Sequence, residues 1–232
     1  MEHPYLFLVK LAELAGIESV THFARAYPHV LYSWLVMIVL IVSGYGVSRN
    51  LSLIPVKAQN VFEAVIEGLE EFMADITGEE GRRFFPVLGA AFLYIFVSNL
   101  IGLLPGFFPP TASYNTTLSC AVTVFFATHY IGIRCHGARY YKHFTGPVWW
   151  LAPLMLPIEL ISHFSRVLSL SLRLFGNMSG HEVVLAIFFG LAGAFFAPLP
   201  IMVMGIFVSF VQAFVFFMLS IMYFAGAMEH AH

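Results

Sequence analysis

Five long apolar segments alternate with short polar stretches along this chain. A helix that crosses a bilayer needs about 20 mostly apolar residues, and each of the five segments meets or approaches that length. The segments cover residues 30–47, 84–104, 116–133, 149–190 and 201–228. The pattern predicts an all-α membrane protein with about five transmembrane helices, which we interpret as one membrane domain over residues 1–232.

The fourth apolar segment is too long for a simple crossing. From Pro157 to Gly190 a helix would measure about 50 Å at a rise of about 1.5 Å per residue, whereas the hydrocarbon core of a bilayer is about 30 Å thick. This helix must therefore tilt strongly or project from the membrane. Residues 193–200 then provide the turn into the fifth segment.

Residues 56–80 have a different pattern. Apolar residues recur there at helical spacing, and acidic residues lie mostly between them. The apolar positions are Val61, Val65, Leu69, Phe72 and Ile76, and the acidic positions are Glu63, Glu67, Glu70, Glu71 and Asp75. This pattern predicts an amphipathic helix that lies at the membrane interface or packs on a partner.

The composition indicates the environment of the chain, and the charges of its loops indicate its orientation. The chain is 59% hydrophobic and 10% charged, against about 25% charged in soluble domains, so water is not its main solvent. Lys and Arg residues are enriched in cytoplasmic loops. One set of loops holds Arg49, Lys57, Arg82, Arg83, Arg134, Arg139 and Lys142, and the other holds only Lys10 and Arg25. This split predicts an outer N-terminal segment at 1–29, a cytoplasmic amphipathic helix at 56–80 and a cytoplasmic C-terminus.

A polar stripe runs along the fourth segment. At 100° per residue, five polar residues fall on one side of this helix, and two serines flank them. The five are Glu159, His163, Arg166, Arg173 and Asn177, and the serines are Ser162 and Ser169. His181 and Glu182 follow on the same helix, but their side chains point in other directions than that of Arg173. The fifth segment adds Ser209, Gln212 and Tyr223, and Gly205 there leaves room for a bulky group such as an imidazole from a facing helix.

Arg173 is a charged residue within a long apolar segment. A charge at bilayer depth costs about 2.5–3.5 kcal/mol on insertion scales, so it persists only beside protein or water and with a partner. An internal ion pair with Glu182 is disfavoured, because nine residues place the two side chains about 180° apart and about 13 Å apart along the axis. The missing anion is therefore expected from another chain.

The other polar residues have simpler alternatives. Arg166 is compatible with snorkelling to the cytoplasmic interface, and His163 with a hydrogen-bonded interior histidine. Asn99, Asn177 and Gln212 are equally compatible with hydrogen bonds that hold helices together. The residues alone leave these alternatives open.

The run from Ser169 to Glu182, SLSLRLFGNMSGHE, resembles the signature of subunit a of F-type ATP synthases. Further similarity lies in the run SNLIGLLP at 98–105, in Thr111 and Ala112 with NTTL at 115–118, in PIE at 157–159 and in QAF at 212–214. Together these matches cover about residues 55–228. The RLFGN core is the most specific of them.

The resemblance implies a non-catalytic subunit of the F0 membrane sector in a bacterial inner membrane, with residues 149–228 as a tilted hairpin against a rotating ring of c subunits. It implies that Arg173 is the essential charge facing the ring carboxylate. The outer half-channel would comprise Asn99, Asn177, His181, Glu182 and Gln212. The cytoplasmic half-channel would comprise Glu159, Ser162, Arg166 and Ser169.

The resemblance also implies the partners of this chain: the c-ring, the b-subunit peripheral stalk, membrane lipids and protons, with Na⁺ also open. No cofactor, metal or nucleic acid is implied.

This chain departs from the family pattern at two places. Some bacterial members have Gly where this chain has His181, and His where this chain has Gly205. A histidine moved to the neighbouring helix can occupy the same space, so His181 is interpreted as the relocated partner of Glu182. The loop pattern also often has acidic residues where this chain has Gly102 and Ser113.

Two other classes of protein were weighed against this function. A secondary ion transporter would show an internal repeat and broken helices at matching positions of two halves, and neither is visible in the sequence. In a structural membrane anchor subunit, the cluster of His181 and Glu182 would have no function.

The predicted orientation is testable by cysteine labelling. We expect a cysteine at Arg139 to react with a membrane-impermeant thiol reagent only from the cytoplasmic side of sealed vesicles, because the basic loops stay inside. A variant with the single cysteine at Arg25 is the matched control for the opposite side. Labelling of position 139 from the outside only would contradict the orientation.

Overall fold

The fold is a bundle of helices. The computed structural model describes residues 7, 9–10, 22–23, 25–49, 57–104, 106–137, 152–192 and 198–228, and no strand occurs within them. The helices there are α1 (Pro28–Arg49), α2 (Lys57–Thr77), α3 (Phe85–Ile101), α4 (Tyr114–His136), α5 (Ala152–Ala192) and α6 (Pro198–Met228), with short 3₁₀ helices at Glu79–Phe84 and Pro110–Ala112. The all-α prediction is confirmed, and this is the architecture of a multi-pass membrane protein.

Four of the described helices are long and apolar enough to cross a membrane. They are Pro28–Arg49, Glu79–Ile101, Tyr114–His136 and Leu199–Met228. Helix α5 is not among these four, although its 41 residues correspond to a length of about 60 Å. A crossing by α5 therefore stays a prediction, and the polar stripe is the physical reason why it differs from its neighbours.

Helix α5 begins at Ala152, close to the start of the apolar segment predicted at 149–190. Pro157 lies inside it, five residues after its first residue Ala152. Proline lacks a backbone N–H and disrupts the interior of a helix, but it is best tolerated near the N-terminal end. The helix continues through it without interruption, so the polar stripe and the signature run lie on one continuous element.

Helix α6 forms the centre of the bundle. Its buried residues recur at helical spacing: Ala213, Phe216, Phe217, Ile221 and Phe224. This face meets buried residues of α2, α3, α4 and α5 in one core. The ring of Phe92 on α3 packs against the ring of Phe217 at a centroid distance of 5.7 Å. Both long helices of the hairpin are thus fixed to the same core.

The amphipathic segment folds as helix α2, as predicted. It ends before Gly78, whose φ of 74° suits glycine because other residues rarely adopt that conformation. Leu69 and Met73 are buried in the core, while Val61 remains exposed at 64%. The C-terminal half of α2 therefore packs on its own chain, and only the N-terminal half remains available to a membrane interface or a partner.

The connection between α3 and α4 forms hydrogen bonds to two other helices. The Tyr32 hydroxyl of α1 donates to the carbonyl of Gly106 at 3.3 Å. The Ser179 hydroxyl of α5 donates to the carbonyl of Ala112 at 3.2 Å. These bonds hold the Pro110–Ala112 turn against the middle of α5, next to the signature run.

Candidate functional site

Arg173 lies on an exposed face of α5. Ser169 and Asn177 are four residues away on either side, so they share this face, and both are exposed. Gly176 and Gly180 lie close by on the helix, and a Cβ atom added to either would contact nothing within 4 Å. The arginine therefore projects from a strip of small residues that nothing in the described part of the chain covers.

Arg173 forms no hydrogen bond or ion pair with any described residue. In particular, the disfavoured pair with Glu182 does not form. Glu182 is half-buried on the other side of the same helix. Within the described residues, the guanidinium thus has no carboxylate of its own.

The polar residues predicted for the outer half-channel come from three helices. The Asn177 side-chain amide donates to the side-chain carbonyl of Gln212 at 2.6 Å, which joins α5 to α6. Asn99 of α3 is fully buried; it donates to the backbone carbonyl of Ser209 at 3.5 Å and accepts from the Thr111 hydroxyl at 2.6 Å. Ser209 and Gln212 are one helical turn apart on α6. The Asn99 amide and the Asn177–Gln212 pair therefore contact α6 at positions one turn apart.

His181 lies against Gly205, as the sequence analysis predicted for an imidazole. A Cβ atom at Gly205 would collide with His181 Nε2 and with the end of the Leu103 side chain. His181 Nε2 is buried and has no hydrogen-bond partner among the described residues. The absence of a side chain at position 205 is therefore what allows the imidazole to enter the space between α5 and α6.

One departure from the family pattern also has a packing reason. A Cβ atom at Gly102 would contact Pro109, whose Cγ lies 2.7 Å from that position. Proline side chains are rigid, so an acidic residue would fit at position 102 only if the loop moved. The packing of Pro109 on Gly102 thus explains why glycine, and not an acidic residue, fits at position 102.

A second polar group lies nearer the start of α5. His163 Nε2 is 3.4 Å from the carboxylate of Glu159, one turn earlier. The Arg166 guanidinium lies over the ring of Tyr223 on α6, at 5.3 Å from its centroid, a cation–π contact. Ser162 is half-buried and Ser169 exposed. Thus Arg166, although exposed, packs on the bundle instead of only reaching for the interface.

His129 on α4 belongs to this second group, and sequence reasoning missed it. Its ring centroid is 5.0 Å from that of His163. The signal was present, since a titratable residue in an apolar segment was the criterion that selected Arg173. Among the described residues, no group of three or more His, Cys, Asp or Glu side chains is arranged to hold a metal ion.

The fold and these groups define a class: a multi-pass α-helical membrane protein whose two longest helices carry polar side chains and one exposed arginine. A sequence model of the family described as "ATP synthase A chain" matches residues 30–225. Proteins named ATP synthase subunit a are similar over the whole of both chains. They include those of Desulfosudis oleivorans, 65% identical, Syntrophobacter fumaroxidans, 54% identical, and Geobacter sulfurreducens, 50% identical. The chain belongs to the ATP synthase subunit a family, which is part of the membrane sector of that complex.

The role of the contact between His181 and Gly205 can be tested with two single variants and their combination. Gly205→His alone should impair assembly and ATP-driven proton uptake in vesicles, because overpacking of a filled site costs about 1–3 kcal/mol. His181→Ala alone should lower uptake because the imidazole is lost. The combination of His181→Ala and Gly205→His should recover part of the uptake, because one imidazole again occupies the space and the end of Leu103 can shift.

Gly226→Ala is the matched control, because a Cβ there meets nothing within 4 Å. If His181→Ala pumps like the parent, the histidine is only a packing residue and its relocation has no functional meaning.

Proposed function

We propose that this chain is the stator half of a proton pathway in a rotary ATP synthase, with Arg173 facing the carboxylate of a c subunit on a rotating ring. The observation that carries the proposal is the exposed arginine on α5 without a described partner. A guanidinium stays protonated at any physiological pH, so its charge persists inside the bilayer. Such a charge is stable there only beside protein or water and with a partner, and a carboxylate of a second chain packed on this face would supply that partner.

The shape of this face supports a close partner helix. Small residues at membrane helix interfaces let two backbones approach each other. Ser169, Gly176 and Gly180 surround the arginine, and both glycines border open space. A ring helix packed here would bring its carboxylate within reach of Arg173 while sliding past a smooth surface.

The amide and imidazole groups suit an outer half-channel. Buried polar side chains in an apolar bundle are costly unless they are hydrogen-bonded, and the buried Asn99 and Gln212 are bonded to Ser209 and Thr111 and to the exposed Asn177, respectively. His181 and Glu182 add two groups that can carry a proton. Because neutral imidazole both donates and accepts a proton near physiological pH, these groups can pass protons toward the ring.

The cytoplasmic half-channel is proposed to run by Glu159, Ser162, Arg166 and Ser169. A ring carboxyl that has been neutralised by the outer path can face lipid, so the ring turns. After nearly a full turn the carboxyl meets this second path and releases its proton. Arg173 lies between the two paths, favours the deprotonated carboxylate and blocks a direct leak. Each proton gains about 2.3 kcal/mol per 100 mV of membrane potential.

The remaining assignments follow from this arrangement. The chain has its N-terminus outside and its C-terminus in the cytoplasm of a bacterial inner membrane, with α5 and α6 as a tilted hairpin in one membrane domain. Its partners are the c-ring and the b-subunit stalk, and Na⁺ could replace H⁺ if the ring selects it. The chain itself carries out no phosphoryl chemistry, which belongs to other subunits of the complex.

Substitution of Arg173 tests the central assignment. Arg173→Ala should abolish coupled proton pumping and ATP synthesis in vesicles while the complex still assembles, because the side chain is exposed and forms no hydrogen bond or ion pair with a described residue. Arg173→Lys should also fail largely, because a desolvated ammonium can lose its proton and lacks the planar fork.

Arg83→Ala provides a control, since it removes an exposed arginine that lies outside both proposed half-channels and should retain activity. Near-normal ATP-driven pumping by Arg173→Ala would refute the assignment.

The small-residue face can be tested separately from the charge. Gly180→Leu should leave this chain in the membrane at normal amounts, because the added side chain meets open space, but should reduce copurification of the c-ring. Gly44→Leu on α1 is the matched control, since a Cβ there also meets nothing within 4 Å. Equal ring recovery with both variants would mean that the ring docks elsewhere.

A further inference from the structure

A small cavity lies between α4, α5 and α6 on the side of the bundle that holds Glu159. Its volume is about 20 Å³, and its lining includes His129, His163, Arg166 and Tyr223. A site of this size holds about one water molecule when polar partners are present. Two imidazoles, a hydroxyl and a guanidinium therefore surround a space that suits a single water.

The two imidazoles are arranged in sequence from Glu159. The Glu159 carboxylate and His163 Nε2 are 3.4 Å apart, and the rings of His163 and His129 are 5.0 Å apart across the boundary of α5 and α4. His129 Nδ1 is 2.9 Å from the carbonyl oxygen of Phe125. When Nδ1 carries the hydrogen and donates to that carbonyl, Nε2 keeps a lone pair that can accept a proton.

We propose that His129 and His163 form a proton-relay pair that extends the cytoplasmic half-channel from Glu159 on α5 to α4. The inference rests on the proposed function and adds a second helix to its exit path. In the exit direction a proton reaches His163, passes through a water in the cavity to His129 and leaves His129 for solvent, while the Glu159 carboxylate holds the His163 ring beside the cavity. Each imidazole returns to its neutral form, so the relay consumes nothing.

The surroundings favour transfer over storage of the proton. Arg166 lines the same cavity, and its positive charge opposes a second lasting charge on either imidazole. Tyr223 is half-buried and carries a hydroxyl that can hydrogen-bond. His136 lies seven residues after His129, on the same face of α4 and about 10 Å nearer the basic end of that helix. The relay thus points toward the proposed cytoplasmic end.

The simpler interpretation is that His129 only packs. Its ring lies 4.2 Å from the ring of Phe125, and a packing residue would also affect assembly when removed. The test must therefore include a measurement that packing alone does not change. Chemical rescue by free imidazole is such a measurement, because it restores a proton carrier without restoring the covalent structure.

The experiment uses the whole synthase in inverted vesicles, with the catalytic sector stripped and passive proton conductance measured. The parent should conduct, and a carbodiimide that modifies carboxyl groups should block this conductance. His129→Ala should lower the conductance by about tenfold or more, since a positioned acid–base group contributes at least about 10²-fold to proton transfer. Imidazole in the bath, which contacts the cytoplasmic face, should restore conductance in this variant only.

Phe125→Leu is the matched control, because it alters the same cavity without a titratable group and should not respond to imidazole. His129→Gln keeps a polar side chain of similar length; it should assemble like the parent, conduct poorly and, with no space opened, resist rescue. Parent-like conductance in His129→Ala or His129→Gln, or equal rescue of Phe125→Leu, would overturn the relay. Absence of carbodiimide-sensitive conductance in the parent would instead contradict the proposed function itself.

Discussion

A permanent positive charge on an uncovered face of a membrane helix is the constraint on which the account depends. Arg173 cannot lose its proton, and none of the described residues neutralises it. Under the proposed function, the neutralising anion comes from a second chain. The surrounding small residues allow a partner to come close, and the core contacts of α5 and α6 keep the face in place.

The polar groups divide into two sets on either side of this charge. One set, around Asn177, Gln212 and His181, joins α5 to α6 and α3. The other set, around Glu159, His163 and His129, joins α5 to α4. Under the proposed function, these two groups line the two half-channels, and the fixed charge of Arg173 between them makes a proton cross on a carboxyl of the moving ring.

Much of the fold was predictable from the sequence, because in a membrane protein apolar length alone defines most helices. The predicted segments 30–47 and 116–133 became Pro28–Arg49 and Tyr114–His136. The segment predicted at 149–190 became Ala152–Ala192, and this helix runs through Pro157 without a break. Residues 138–151 and 193–197, including the basic loop around Arg139, lie outside the described residues, so those predictions stay open.

The candidate site was only partly predictable. The meeting of His181 with Gly205 was inferred from the resemblance to the family, in which the histidine and the glycine are exchanged between the two positions, and from the room that a missing side chain at position 205 leaves. The pairing of His163 with His129 was not inferred, because periodicity within one helix does not reveal which face a neighbouring helix presents. The hydrogen bond from Asn177 to Gln212 depends in the same way on how α5 and α6 are rotated against each other.

A density map of the intact membrane sector, with this chain beside its ring, tests the central claim most directly. The account predicts that the ring packs on the face with Gly176 and Gly180, and that the Arg173 guanidinium lies within about 4–6 Å of a ring carboxylate, the range in which opposite charges stabilise each other strongly. A ring docked on another face, or an Arg173 paired within its own chain or turned to lipid, would contradict it.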